Sequence, residues 1–271
     1  MHKLSTATLP LALALLVAPT CGSSQTSDTR QTGNGQAERV ACPVPHEALE
    51  DALKKSVKPA GGPSNGGFDN NEWAAIVNRE GKVCAMARSG KNVDDQWPGS
   101  RAIAAEKANT ANAFSLATKA MASANLYAAA QPGGFLFGAG ATNPPVPETL
   151  YAGDPNQFGT EQDPIIGKPS GGVIVFGGGL ALYDGNGRIA GAIGASGDTA
   201  CADHNVAWRI RHSLGLDHVP AGVSPNMKDA IIYDIGPNGK SASGFGHPKC
   251  VGREAQIAVD LGAGVSSDEV R

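Results

Sequence analysis

Apolar residues first recur at helical intervals just after Pro45: Ala48, Leu49, Ala52, Leu53 and Val57 share one stripe, which predicts an amphipathic helix opened by a proline. Gly61, Gly62, Pro63, Gly66 and Gly67 close it. Two apolar runs between Trp73 and Ala87 flank Glu80-Gly81 and predict a β-hairpin. Ser100 is placed to cap a helix from Arg101 to Ser115, whose many alanines leave a thin surface that neighbouring backbone or a flat ligand can approach closely. A second alanine-rich stretch, 116–130, continues that helix or folds back on it.

From Gln131 to Gly172 all periodicity is lost and prolines crowd together, as in loops that are functional or mobile. Gly172–Phe176 and Leu180–Asp184 then read as strands, and Asp184-Gly-Asn-Gly187 as a turn into a strand over Arg188–Gly194. Glycines 191 and 194 weaken a strand, so something packs close against its face. Thr199 is placed to cap a helix that runs to Leu214 and is closed by Gly215, and Ala230–Ile235 reads as a further strand. The order implies an α+β fold: an antiparallel sheet flanked by helices.

Composition adds the setting. Met1-His-Lys3 and the apolar run Leu9–Pro19 read as an export signal over residues 1–20, too short to span a bilayer. Ala18-Pro-Thr-Cys21 resembles a bacterial lipoprotein cleavage site, with Thr20 where Gly, Ala or Ser is usual, so Cys21 is expected to carry a lipid; simple secretion is the alternative. Localisation is then the bacterial cell envelope, and a lipid on Cys21 is the membrane attachment. Residues 21–41 are polar and read as a flexible tether. A single domain, 42–271, follows, with a long insertion at 131–172 and a C-terminal extension at 217–271. Of 22 basic residues Lys3 leaves with the signal, so 21 face 25 acidic ones and the mature charge is −4, with no basic cluster. Nucleic acid is therefore not an expected partner. Setting Cys21 aside leaves Cys42, Cys84, Cys201 and Cys250, an even set for an oxidising compartment. Three pairings exist; Cys42–Cys84 with Cys201–Cys250 is favoured because each then joins neighbours within one half of the chain.

Several motifs fail. Ser196 lacks the second glycine of a nucleophile elbow, Gly167-Lys168-Pro169 lacks the Ser/Thr of a phosphate loop, and Arg188 falls on a ligand position of the would-be calcium loop starting at Asp184. The run from Gly171 to His212 is different. Gly-Gly-Val-Ile-Val, a Tyr-Asp-Gly-x-Gly hairpin, Gly-Ala-Ile-Gly-Ala-Ser-Gly-Asp-Thr, and then Asp203 and Val206-Ala207 resemble the GlcG/HbpS-like family of haem-binding proteins, as does Glu106-Lys-Ala-Asn-Thr-Ala111. The likeness covers most of residues 45–215. It departs from the family pattern in lacking a proline between Val173 and Val175 and in having Asp198 for a second glycine. The resemblance implies the same fold with profilin-like layering, homo-oligomers from dimer to octamer, and haem binding by many members; haem breakdown is ascribed to some.

Asp203, Ala207, Ile210 and Leu214 share a stripe that points the Asp203 carboxylate toward the sheet, where it bonds backbone N–H groups or a ligand. His204 and His212 lie about 80° apart around an ideal helix and form no adjacent metal pair. A Cys201–Cys250 bond brings their Cα atoms to about 5–6 Å, and His204 and His247, each three residues from one of these cysteines, then share a neighbourhood. Either or both are expected axial ligands of haem iron. Trp208, Phe245 and the alanine-rich helix are the expected porphyrin walls, Thr110 lies in the same expected site, and Lys168, Arg209 or Arg211 is expected at the propionates. The bland alternative is a tail loop stapled for stability. A third reading places a small metabolite, without haem, in a cleft of Lys107, Thr110, Lys168 and Asp203, with Asp203 or His204 as acid or base.

Overall fold

A computed structural model describes residues 41–60 and 64–266. The leader, Cys21 and the tether up to residue 40 lie outside the described residues. Helix α1 (His46–Val57) begins after Pro45 and buries Leu49, Ala52, Leu53 and Val57, the stripe set by its sequence. Strands β1 (Trp73–Asn78) and β2 (Val83–Arg88) form the hairpin, and α2 (Ser100–Phe114) follows. Ser100 lies inside α2, with Gly99 at the N-cap and no side-chain cap bond, so the expected serine cap is not used.

The chain then leaves the helix. Three one-turn helices, α3 (Tyr127–Ala130), α4 (Ala139–Thr142) and α5 (Pro147–Leu150), are the α-helical turns between α2 and the next strands, β3 (Gly179–Tyr183) and β4 (Ile189–Ser196). Helix α6 (Ala200–Ser213) is capped by Thr199, whose side chain accepts from the Ala202 N–H. The extension adds β5 (Ile231–Tyr233), α7 (Glu254–Asp260) and β6 (Gly264–Ser266), with β5 and β6 paired in parallel.

The main sheet has the order β2-β1-β4-β3, antiparallel at each pairing. Alternate residues of each strand face opposite layers. Ala74, Ile76, Leu180, Leu182, Ile193 and Ala195 join α1 and α6 in one core. Trp73, Ala75, Val77, Met86 and Ala192 join Ala104, Ala105, Ala108 and Ala111 of α2 in the other, which Leu150 and Ile165 of the insertion also enter. The fold is α+β, with helices on both faces of the sheet. Both expected disulfides are present, with Cα–Cα distances of 5.4 Å for Cys42–Cys84 and 6.0 Å for Cys201–Cys250.

Two expectations are corrected. Gly172–Phe176 is not a strand: the Ile174 N–H donates to Thr110 Oγ1 at 2.9 Å, so this segment runs against α2. The thin surface of the alanine-rich helix leaves no slot for a flat guest where it meets Gly194, because α2 packs directly on that strand. A Cβ on Gly194 would overlap the Ala104 carbonyl oxygen and stand 2.6 Å from the Ala108 nitrogen. Gly194→Ala is therefore expected to cost about 1–3 kcal/mol by forcing α2 outward, measured by chemical denaturation. An unchanged midpoint would mean that the helix is not held at that distance.

Candidate functional site

The junction between β4 and α6 holds a buried charge network. Asp203, in the first turn of α6, accepts the Gly197 and Asp198 N–H groups on Oδ1 at 3.1 and 2.8 Å. Its Oδ2 meets Lys107 Nζ at 2.6 Å. Lys107 comes from α2, on the other side of the sheet, and its ammonium also donates to the Ala195 carbonyl at 3.1 Å. Passage past the start of β3 depends on Gly178, where a Cβ would lie 2.9 Å from Nζ. Burial raises the Asp203 carboxyl to about 6, against the lowering pull of the Lys107 ammonium beside it. Glu72 is buried beside it with Oε2 unpartnered; burial, and then the Asp203 charge, raise its pKa well above the ordinary value.

Lys107 and Asp203 are thus structural groups with 0% and 2% of their side chains exposed, not members of an open cleft. Thr110 is equally closed in, donating to the Glu106 carbonyl and accepting from Ile174. Lys168 is exposed beside β2, at the sheet edge opposite β3, and is not brought to the other expected site residues. Arg209 is half-buried and donates its Nε–H to Asn65 Oδ1 at 3.0 Å, while Arg211 is buried against Asp229 and is not free for a propionate.

His204 and His247 do share a neighbourhood, on either side of Gly177. A Cβ on that glycine would lie 3.1 Å from the Cβ of His204, and its N–H points to His247 Nε2 at 3.3 Å. Both rings are buried. Desolvation lowers their pKa values to about 3 and about 4, so both are neutral. Their free nitrogens differ. His204 Nε2 contacts the Ala263 carbonyl at 3.2 Å and must carry the proton, which leaves Nδ1 as an unpartnered, buried lone pair. His247 Nδ1 contacts the Pro248 carbonyl at 2.7 Å and carries its proton, so Nε2 is the lone pair.

The aromatic residues divide similarly. Trp208 lies 6.1 Å from His204, centroid to centroid, with the Arg211 guanidinium 4.5 Å from its ring. Phe245 packs edge-on to Phe135 at 6.3 Å, and Tyr127 packs on His247 at 5.2 Å. His212 is exposed and contacts Asp217 at 2.7 Å.

Next to His247 the extension forms a cleft of about 900 Å³, lined among others by Tyr233, Ile235, Lys240, Ser241 and Lys249. Sequence reasoning found only His247 of these. The residues arrive from short turns without periodicity, and two lysines lacking nearby acids in a Gly/Ser/Pro-rich tail are the one signal that could have flagged them. Among the described residues, no group of three or more His, Cys, Asp or Glu side chains is arranged to hold a bare metal ion, and no helix is long and apolar enough to cross a membrane.

The family profile described as haem-degrading protein HbpS-like matches residues 69–210, more than half of the chain. The chain belongs to the HbpS-like family. The matched segment spans the whole four-stranded sheet, α2 and most of α6, including His204; His247 and the cleft lie beyond it. Similar solved structures include Klebsiella pneumoniae protein ORFY, 21% identical, with 67% of this chain and 96% of that chain covered and a TM-score of 0.43. A PduOC:haem complex is 20% identical, with 64% and 94% covered and a TM-score of 0.43. A double mutant of Streptomyces reticuli HbpS is 17% identical, with 74% and 99% covered and a TM-score of 0.37. No curated protein matches the chain significantly.

Proposed function

We propose that the chain is an exported haem-binding protein, attached to the cell envelope through a lipid on Cys21 and assembled as a homo-oligomer. The observation that carries the haem reading is membership of the HbpS-like family across the sheet and its helices. The leader pattern and the even set of four bonded cysteines support export.

Of the two expected ligands, His247 fits haem iron and His204 does not. The spare lone pair of His204, on Nδ1, is fully enclosed within the protein. His247 is neutral, borders a cleft large enough for a cofactor, and has its Nδ1–H fixed on a backbone carbonyl, the arrangement that orients an imidazole for metal binding. Ligation would replace a single backbone bond, the 3.3 Å contact from Gly177. When bound, haem would supply iron for ligand or redox chemistry; the chain holds the imidazole tautomer and orients it through Pro248.

Haemin titrated into the full chain is expected to give a Soret band typical of nitrogen ligation that His247→Ala abolishes and His204→Ala retains. A band unchanged in His247→Ala removes that residue from the iron.

A further inference from the structure

We infer that the cleft of the C-terminal extension is a binding site for a cofactor-sized apolar molecule carrying at least two carboxylates, which Lys240 and Lys249 meet. At about 900 Å³ the cleft stands near the upper end of small-molecule sites, so a phosphate or acetate ion would leave most of it unfilled. Both lysines line it, are exposed, and have no ion-pair partner among the described residues.

The one acid among its lining residues, Asp234, is spent inside the loop. Its Oδ1 accepts the Ser241 hydroxyl at 2.7 Å and its Oδ2 the Ser243 N–H at 2.6 Å. The cleft therefore has two exposed lysines against one carboxylate, whose oxygens are turned to donors inside the loop. Ile235, Pro237 and Pro248 give it apolar walls. Carboxylates on an apolar body match both features.

The walls are also set in advance. His247 N–H donates to the Ile232 carbonyl of β5 at 2.7 Å, Gly236 and Lys240 close a turn at 2.9 Å, and the Cys201–Cys250 bond fixes the residue after Lys249 to α6. Little ordering remains to oppose binding. A smaller groove of about 280 Å³ shares Ile235, Lys240 and Ser241 and extends the cleft toward Gln131.

This inference rests on the haem reading for the kind of ring used as a probe; it adds the place and the charges, and iron has no part in it. The probe is metal-free protoporphyrin IX, titrated into the full chain by fluorescence. Saturable binding is expected, weakened about tenfold by the double substitution Lys240→Gln/Lys249→Gln and by added salt. The dimethyl ester, which keeps the ring and lacks the charges, is expected to bind the original and doubly substituted chains alike. Equal affinity of both chains for the free acid, or no binding at all, overturns the inference. Since the probe lacks iron, lysine-dependent binding of protoporphyrin without any haemin Soret response would sink ligation by His247 and leave this site standing.

Discussion

Asp203→Ala is expected to lower the unfolding free energy by about 3–5 kcal/mol, a large part of what a domain of this kind possesses. Removing the carboxylate leaves the Lys107 ammonium fully buried, with the Ala195 carbonyl and, at 3.4 Å, Ser196 Oγ as its remaining hydrogen-bond partners. It also deprives the Gly197 and Asp198 N–H groups of their acceptor at the point where β4 turns into α6. Urea unfolding by circular dichroism measures the loss. The double substitution Lys107→Met/Asp203→Leu removes both charges and is expected to recover much of it, since replacing a buried pair by apolar side chains is often close to neutral. A single substitution costing under 1 kcal/mol would show that water reaches the pair.

Asp229→Ala is expected to cost a similar 3–5 kcal/mol and to loosen the tail as well. Asp229 is fully buried and receives both terminal nitrogens of Arg211, Nη1 at 2.6 Å and Nη2 at 2.8 Å. Arg211 also donates to the Ala181 carbonyl in β3, so one guanidinium joins α6, the sheet and the segment leading into β5. Its Nε has no partner, which leaves little to compensate once the carboxylate is gone. The expected readouts are a lower urea midpoint and faster tryptic cleavage after Lys228, which is exposed next to Asp229. Unchanged cleavage with a lowered midpoint would mean that the pair stabilises the sheet layer without holding the tail.

Much of the architecture was legible because its signals are local. The stripe of α1, the Glu80-Gly81 hairpin, the Asp184–Gly187 turn and the Thr199 cap depend on residues within one helical turn or one strand pair of each other. Gly172–Phe176 misled because an apolar run has the same composition whether it pairs in a sheet or lies against a helix; the Thr110 hydroxyl selects the second. Strand β5 was legible within Ala230–Ile235, whereas β6, three residues long and paired with it across the intervening α7, was not. For the site, the cysteines correctly brought His204 and His247 together. Burial of His204 could not be read from helical phase, because the group covering it is the Ala263 carbonyl, 59 residues away.

The sequence by itself determined an antiparallel sheet with helices against it, and it favoured the cysteine pairing that puts the two histidines in one neighbourhood. Alternation, helical stripes and cap residues act over a few positions and carry their own geometry. Tertiary structure alone decided that the alanine-rich helix fills the space beside Gly194, that Lys107 finds Asp203 across 96 residues, and that the open cleft lies in the tail. Those outcomes depend on which surfaces close on one another, and close packing allows a backbone, a side chain or a ligand in a given space, but only one of them at a time.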